Sequence, residues 1–185
     1  MTPEQALATI KKYYPEGSVS FNYLVEHSLA VAEFAIKIAK RNPDCRPDIE
    51  FIHTSAILHD IGIFMTDASK FGCFGEHPYL AHGYLGRELL EKEGYPDHAL
   101  VCERHVGVGI SMEEIMENKL PLPRRDMIPL STEEEIVCYA DKFFTKKDGQ
   151  LSVAKDPEKI LKSLMKYGPD KPAVFLGFIE KYGLP

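Results

Sequence analysis

The sequence lacks the features that mark membrane proteins and proteins that bind long nucleic acids. No apolar run approaches the ~18 residues needed to span a bilayer. The formal net charge of -6 and the pI near 5.7 provide no broad basic face for a phosphate backbone. We therefore expect no membrane partner and no long nucleic acid, and a small molecule as the substrate.

Cysteine is also scarce, and its spacing matches no metal or redox motif. The chain has 4 cysteines, Cys45, Cys73, Cys102 and Cys138, and none of them forms a C-x-x-C pair. Each lies in an apolar or loop context, where a thiol behaves as a small hydrophobic group. We expect these cysteines to be reduced and structural.

The length and composition are typical of one globular domain. Hydrophobic residues make up 44% of the 185 residues and charged residues 27%, which is enough apolar material for one core. The start Thr2-Pro3-Glu4-Gln5 has the pattern of a capped helix and not that of a signal peptide. We predict a single cytoplasmic domain over 1–185, with its core in 20–147 and C-terminal helices in 157–182 packed on it.

Hydrophobic periodicity predicts an all-α fold. Apolar residues recur mostly at intervals of three and four, and β-branched runs with strict alternation are absent. Helices are predicted over 3–14, 22–41, 48–62, 78–93, 96–106, 132–147, 157–167 and 172–182, with a short additional candidate at 111–118. The candidate N-caps and capping boxes are Asn22, Asp48, Asp156, Ser131 or Thr132, Ser111 with Glu114, and Ser131 with Glu134.

Two segments depart from the helical pattern. The first, 63–77, contains Gly72 and Gly75, and the second, 119–131, contains three prolines. Loops of this length are uncommon in compact domains and often carry function. Both are therefore candidates to cover a site, and surface excursions are the alternative.

Histidines and aspartates occupy positions where core residues are expected. His27 continues the apolar stripe of Val31 and Phe34, and the same holds on four further predicted helices. The residues predicted to point inward are His27, His59, Asp60, His82, His105 and Asp141. A single inward histidine is usually a hydrogen-bonded core residue. Six buried polar groups need compensation, because an uncompensated buried charge costs several kcal/mol.

These groups either neutralise one another or hold a metal. Their donors are nitrogen and oxygen only, which favours iron, manganese, zinc, cobalt or magnesium over a thiolate-bound structural zinc. His53 and His77 are expected at the surface. His98 lies two turns, or ~10 Å, from His105, which is too far for a shared metal. It is a candidate to line the entrance of a site.

The order and surroundings of the inward residues resemble the HD superfamily. His27 stands in "LVEHSLAVAEFA", the pair His59-Asp60 stands in "AILHDIG", and Asp141 stands in "YADK". The string HDIG matches the name of one subgroup of that superfamily. The resemblance extends over residues 20–147 and implies an HD-domain helical bundle.

The resemblance also implies a ligand set. Members of the family with two extra histidines between the HD pair and the last aspartate hold two divalent metals. By this resemblance His27, His59, Asp60 and Asp141 would bind the first ion, and Asp60 would bridge to a second ion held by His82 and His105. Asp60 and His59 would then be the residues at the centre of catalysis. Basic residues beside the ligands are candidate phosphate contacts: Arg104, Lys142 and Lys146.

The implied activity is that of a metal-dependent phosphohydrolase. Two such ions can activate a water for attack on a phosphoryl group, and the expected substrate is a small, nucleotide-like phosphorylated compound. The alternative enzyme is a di-iron oxygenase of the HD type, which resembles the hydrolases in its ligand order. A third interpretation is a non-catalytic ligand-binding HD module, which the intact ligand set disfavours.

Overall fold

The computed structural model describes residues 1–144 and 151–184 and shows an all-α protein with one small hairpin, which confirms the predicted fold class. In these residues the α-helices are α1 (Pro3–Tyr13), α2 (Val19–Arg41), α3 (Ile49–Leu58), α4 (His82–Lys92), α5 (Pro96–Arg104), α6 (Met112–Glu117), α7 (Thr132–Lys142), α8 (Pro157–Leu164) and α9 (Lys171–Tyr182). The hairpin pairs β1 (Asp67–Ala68) with β2 (Cys73–Phe74) antiparallel. It lies inside the predicted loop 63–77.

Side-chain caps explain where several helices begin. Thr2 and Gln5 form a capping box at the start of α1, and Ser111 and Glu114 form another at the start of α6, both as predicted. Asn22 was the wrong cap for α2. Ser18 accepts the backbone N–H of Phe21 at 3.1 Å, so the helix begins at Val19, before the residue that the sequence indicated.

The capping box predicted at the start of α7 is only half present. Ser131 accepts the backbone N–H of Glu134 at 3.2 Å, as a cap should. The carboxylate of Glu134 instead accepts the backbone N–H of Leu130 at 2.7 Å and two hydrogen bonds from Arg104. The ion pair with Arg104 of α5 therefore takes the place of the second capping-box hydrogen bond, in which Glu134 would accept the backbone N–H of Ser131.

Several helices end earlier than the periodicity predicts. The α3 helix ends at Leu58 and is followed by a 3₁₀ turn over Ile61–Met65, while α5 ends at Arg104. The predicted helix 78–93 begins with a 3₁₀ turn, and α4 proper begins at His82. The predicted helix 132–147 ends at Lys142, and 145–147 lie outside the described residues. Three of the inward histidines thus lie at helix termini rather than inside helices.

The turn after α3 packs against α4 through two glycines. A Cβ atom on Gly62 would lie 2.2 Å from the carbonyl oxygen of His82 and 2.6 Å from the backbone nitrogen of Gly86. A Cβ atom on Gly86 would lie 2.3 Å from Sγ of Cys102. The absence of a side chain at both positions lets the backbone of the HDIG segment approach α4 closely.

The buried core extends from the first helix to the last. Ala6 and Ile10 of α1 belong to the same buried cluster as Phe175 and Tyr182 of α9. Rings from α9 pack around Tyr139 of α7, with a centroid distance of 5.4 Å to Phe175. The last helix, α9, therefore packs on α7, and the assignment of 1–185 to a single domain stays a prediction. Within 1–144 and 151–184, no helix combines the length and apolarity required to cross a bilayer.

Candidate metal centre

The six inward residues predicted from the sequence come together inside the protein. His27 projects from α2, His59 and Asp60 follow the end of α3, His82 begins α4, His105 follows α5, and Asp141 lies in α7. The most exposed of the six is Asp141, at 7%. Five segments that are distant in sequence therefore deliver one buried cluster of four imidazoles and two carboxylates.

Asp60 lies at the centre of this cluster, and its two oxygens face different histidines. Oδ2 is 3.4 Å from Nε2 of His27 and 3.4 Å from Nε2 of His59. Oδ1 is 3.3 Å from Nε2 of His82 and 3.3 Å from Nε2 of His105. The carboxylate thus divides the four imidazoles into two pairs.

Asp141 completes the first of these pairs. Its Oδ1 atom is 3.1 Å from Nε2 of His27 and 3.5 Å from Nε2 of His59. In the second pair, Nε2 of His82 lies 3.2 Å from Nε2 of His105. Two overlapping sets have donor atoms within 4.8 Å of one another: His27, His59 and Asp141, and His59, Asp60 and His105.

Backbone carbonyls orient three of the imidazoles. Nδ1 of His59 donates to the carbonyl oxygen of Ala56 at 2.6 Å, and Nδ1 of His105 donates to that of Cys102 at 2.7 Å. His82 makes the same bond to Tyr79 at 2.7 Å. A carbonyl can only accept, so Nδ1 of each ring carries a proton and Nε2 is the nitrogen that faces the centre, where it is placed to bind a metal once it is deprotonated.

The donor set suits a divalent metal ion. Nε2 of His59 is buried and makes no hydrogen bond within the described part of the chain. Buried polar atoms are normally satisfied, so such a nitrogen beside two carboxylates points to a ligand that the protein chain does not supply. Imidazole nitrogen and carboxylate oxygen are the usual donors for iron, manganese, zinc or cobalt. This His/Asp cluster can therefore hold metal ions.

Asp60 and Asp141 dominate the electrostatics of the cluster. Burial lowers the pKa of His59, but these two carboxylates outweigh it and raise that pKa to about 9. Burial lowers the pKa of His105 to about 4, and the nearby carboxylate of Asp60 offsets only part of the effect. A proton on His59 thus balances carboxylate charge, and metal binding has to release it.

Two buried cysteines contact the backbone of ligand residues. Cys102 donates its S–H to the carbonyl oxygen of His59 at 2.9 Å, and Cys138 lies 3.5 Å from the carbonyl oxygen of His105. Burial raises the pKa of the Cys138 thiol to about 12. All four cysteines are in the described residues and carry thiols rather than disulfides, as predicted. Their contacts with the ligand residues were not foreseen, because the sequence separations are 43 and 33 residues.

The three predicted phosphate contacts have different positions. Nζ of Lys142 lies 2.6 Å from Oδ2 of Asp141, at the edge of the cluster. Arg104 does not face the site; its Nη1 atom donates to both oxygens of Glu134, at 2.8 and 3.0 Å. Adjacent residues on a helix point about 100° apart, so the neighbour of His105 turns toward α7. Lys146 lies outside the described residues.

A cleft of about 690 Å³ opens from one side of the cluster. His82, His105 and Asp141 form its inner end, and residues 106–110, the α6 region and α8 form its walls. Four lysines line it: Lys142, Lys155, Lys166 and Lys171. The last three could not be predicted from the sequence, because they are not adjacent to a candidate ligand along the chain and reach the site only through tertiary packing.

Both predicted loops contact the site region. The ring of Phe71 lies 5.8 Å from that of Tyr79, which in turn stacks on His82 with centroids 4.7 Å apart. In the second loop, Leu120 lines the cleft. The segment 63–77 thus supports the imidazole of His82 through aromatic contacts, and 119–131 contributes to a cleft wall.

His98 does not line the entrance of the site. It is buried, and its Nε2 atom lies 2.9 Å from Oγ1 of Thr54. His77 is exposed, as expected, and His53 is partly buried. At His98, two turns before His105 and the His/Asp cluster, this helix face points into the core.

Comparison with known proteins agrees with this fold and cluster. The HD-domain family model matches residues 24–145, and the chain belongs to the HD-domain family. It is 36% identical over 141 residues to an uncharacterized protein of Methanocaldococcus jannaschii, covering 75% of this chain and 72% of that protein.

Two further relatives are named tRNA (cytidine(56)-2'-O)-methyltransferase. The one from Thermoplasma volcanium is 34% identical over 66% of this chain, and the one from Picrophilus torridus is 37% identical over 59%. The chain spans only 32% and 29% of their lengths, respectively. Most of each methyltransferase therefore has no counterpart in the matched region.

Among solved structures, the HD domain of the L. monocytogenes phosphodiesterase PgpH has the same fold. It superposes with a TM-score of 0.51 at 14% identity, covering 94% of both chains. Its complex with cyclic-di-AMP gives a TM-score of 0.50 and covers 95% of this chain and 93% of that chain. At this identity the likeness shows the fold alone.

Proposed function

We propose that this protein is a metal-dependent phosphohydrolase that acts on a small, nucleotide-like phosphorylated compound. The observation that carries the proposal is the position of Asp60, whose two oxygens each face a different pair of imidazoles at 3.3–3.4 Å. A carboxylate in this position suits a bridge between two ions. Paired ions are a common solution for phosphoryl chemistry.

The contacts divide the donors between two ion positions. The first would be held by His27, His59, Asp141 and Oδ2 of Asp60. The second would be held by His82, His105 and Oδ1 of Asp60, and three protein donors leave coordination positions for a substrate. Iron, manganese, zinc, cobalt and magnesium are the candidates for both positions. His82 and His105 also line the cleft, so the more open position faces it.

Divalent ions at such a centre supply a nucleophile from water near neutral pH and offset the charge of a phosphoryl group. In the hydrolysis the water oxygen forms a bond to phosphorus, the ester P–O bond breaks, and the leaving oxygen takes a proton. Lys142 lies beside the proposed site of this chemistry, with its Nζ atom 2.6 Å from Oδ2 of Asp141. Its ammonium group would contact the phosphate oxygens. Arg104 is no longer a candidate, because Glu134 holds its guanidinium group.

The cleft supports a small substrate. Its volume of about 690 Å³ lies within the usual range of small-molecule sites. Its lysines provide a local positive charge in a chain whose net charge is -6. The cyclic-di-AMP complex of PgpH is an example of an HD domain with a small phosphorylated ligand. The methyltransferase activity in the names of two relatives is not proposed, because this chain spans about a third of each of them.

An anaerobic metal screen tests the proposal. The purified protein is stripped of metal, loaded in turn with Mg²⁺, Mn²⁺, Zn²⁺, Co²⁺ or Fe²⁺, and assayed for phosphate release from nucleotides and small phosphomonoesters. We expect turnover without oxygen, and no turnover in Asp60→Asn whose helical circular dichroism spectrum is unchanged. Turnover that requires iron, reductant and O₂ would instead indicate the HD-type oxygenase. Tight nucleotide binding without turnover under any metal would indicate a non-catalytic module.

A further inference from the structure

One wall of the cleft is built by residues that follow the HD-domain match. The family match ends at residue 145, whereas α8 and the turn after it contribute Ile160, Ser163, Leu164, Lys166 and Tyr167 to the lining. The metal centre is shared with the family by sequence, but this wall comes from a segment outside the matched region. This wall can therefore give the chain a substrate preference that other members of the family do not share.

The cleft runs from a buried end to an exposed one. At the metal end His105 is 2% exposed and Asp141 7%, whereas Tyr167 in the wall is 72% exposed. Lys166 is exposed as well and lies in the turn directly after α8. A phosphoryl group held at the metals would therefore leave the rest of the substrate extending toward this turn at the mouth of the cleft.

Two of the lysines in the lining already have carboxylate partners. Nζ of Lys142 contacts Asp141, and Nζ of Lys171 lies 2.5 Å from Oε2 of Glu114 and 3.1 Å from the carbonyl oxygen of Gly109. Within the described residues, Lys166 forms no ion pair. Its cleft-side position and its unneutralised charge are properties that a binding residue for an anion needs.

We propose that Lys166 is a specificity residue that contacts a second anionic group of the substrate, remote from the reacting phosphoryl group. The ring of Tyr167 packs against the organic part that joins the two groups. The substrate class is thus a compound with two separated anionic groups, such as a bisphosphate. This inference rests on the proposed function for the reacting end, but the Lys166 contact itself is measurable without catalysis.

Lys162 provides a matched control for Lys166. Both are exposed lysines near the C-terminal end of α8, where a positive charge interacts favourably with the helix dipole. Of these two lysines, only Lys166 lines the cleft. Lys162→Ala therefore removes the same charge from the same helix end and keeps the cleft intact.

The test compares two pairs of probes that differ by one phosphate: adenosine monophosphate with adenosine bisphosphate, and fructose monophosphate with fructose bisphosphate. Binding to EDTA-treated full-length protein is measured by calorimetry, and KM and kcat are measured on metal-loaded protein. For at least one pair, we expect the bisphosphate to bind about tenfold more tightly, since a hydrogen bond to a charged group contributes about that much. Lys166→Ala should abolish this preference and raise the KM for the bisphosphate with little change in kcat. Lys162→Ala should keep the wild-type preference and the wild-type KM.

The outcomes separate this inference from the proposed function. A bisphosphate preference that survives in Lys166→Ala, or that is absent from the wild-type protein for both pairs, overturns the role of Lys166. Hydrolysis of monophosphates and bisphosphates would still support the phosphohydrolase. Conversely, Lys166-dependent binding in a protein that hydrolyses neither probe supports the contact and contradicts the proposed reaction.

Discussion

Oγ1 of Thr54 lies 2.9 Å from Nε2 of His98 in the interior of the protein. The rings of Phe51 and Tyr95 pack against the imidazole, with centroids 4.8 and 5.9 Å away. Burial, with a smaller contribution from the N-terminal ammonium group, lowers the pKa of His98 from 6.5 to about 4. This histidine is therefore neutral in the folded protein at pH values where the unfolded chain would protonate it.

His98 should make the protein less stable in mild acid. Between pH 6.5 and about 4 the unfolded state binds the proton and the folded state does not, so the free energy of unfolding decreases as the pH decreases through this window. The contribution is at most about 1.4 kcal/mol per pH unit. We expect His98→Gln to flatten this dependence in urea unfolding of EDTA-treated protein. His53→Gln is the control, and equal slopes in wild type and His98→Gln would contradict the assignment.

Removal of the second histidine pair should remove one ion and leave the other. The double variant His82→Ala/His105→Ala keeps His27, His59 and Asp141, whose donor atoms lie within 4.8 Å of one another. Metal analysis by mass spectrometry should give about half of the wild-type content per chain. His53→Ala should keep the full content. A double variant with full wild-type metal content would rule out the second ion position.

Gly62 should not tolerate a side chain. In Gly62→Ala the new Cβ would lie 2.2 Å from the carbonyl oxygen of His82, so α4 must shift, at a cost of about 1–3 kcal/mol in the free energy of unfolding. Because His82 moves with α4, metal content should decrease too. Gly177→Ala is the matched control, since its Cβ would meet nothing within 4 Å in α9 and should stabilise the helix by up to about 1 kcal/mol. A fully stable, fully metal-loaded Gly62→Ala protein would contradict the packing argument.

Substitutions of Arg104 and Lys142 should affect different properties: Arg104→Ala the stability of the fold, and Lys142→Ala the binding or turnover of the substrate. Glu134 is 6% exposed, and in Arg104→Ala it loses its two hydrogen bonds, so we expect unfolding to become easier by about 1–3 kcal/mol with KM unchanged. Lys142→Ala should raise KM or lower kcat by about tenfold and keep the metal content. Steady-state kinetics and denaturant titrations of both variants provide the measurement. An increase in KM in Arg104→Ala would restore the substrate role that the sequence suggested for this arginine.

The sequence was sufficient to predict which residues meet in the centre, but not where the helices end. The apolar stripes around His27 and Asp141 have the helical period, so both side chains were predicted to point inward. Hydrophobic periodicity does not distinguish a 3₁₀ turn from an α-helix, because a short 3₁₀ turn continues the same face for a few residues. The predicted helices therefore ran through His59 and His105, whose positions at helix termini allow their Nδ1 atoms to bond carbonyls three residues earlier.

By itself, the sequence determined the all-α class, the HD-domain family and the set of six buried donors, since each of these depends on residue type and local spacing along the chain. Only the tertiary structure decided that the two oxygens of Asp60 face different imidazole pairs, that Arg104 pairs with Glu134, and that Lys166 reaches the cleft. These relationships join residues that are far apart in sequence, and their geometry depends on how whole helices pack. Local spacing contains no information about that packing.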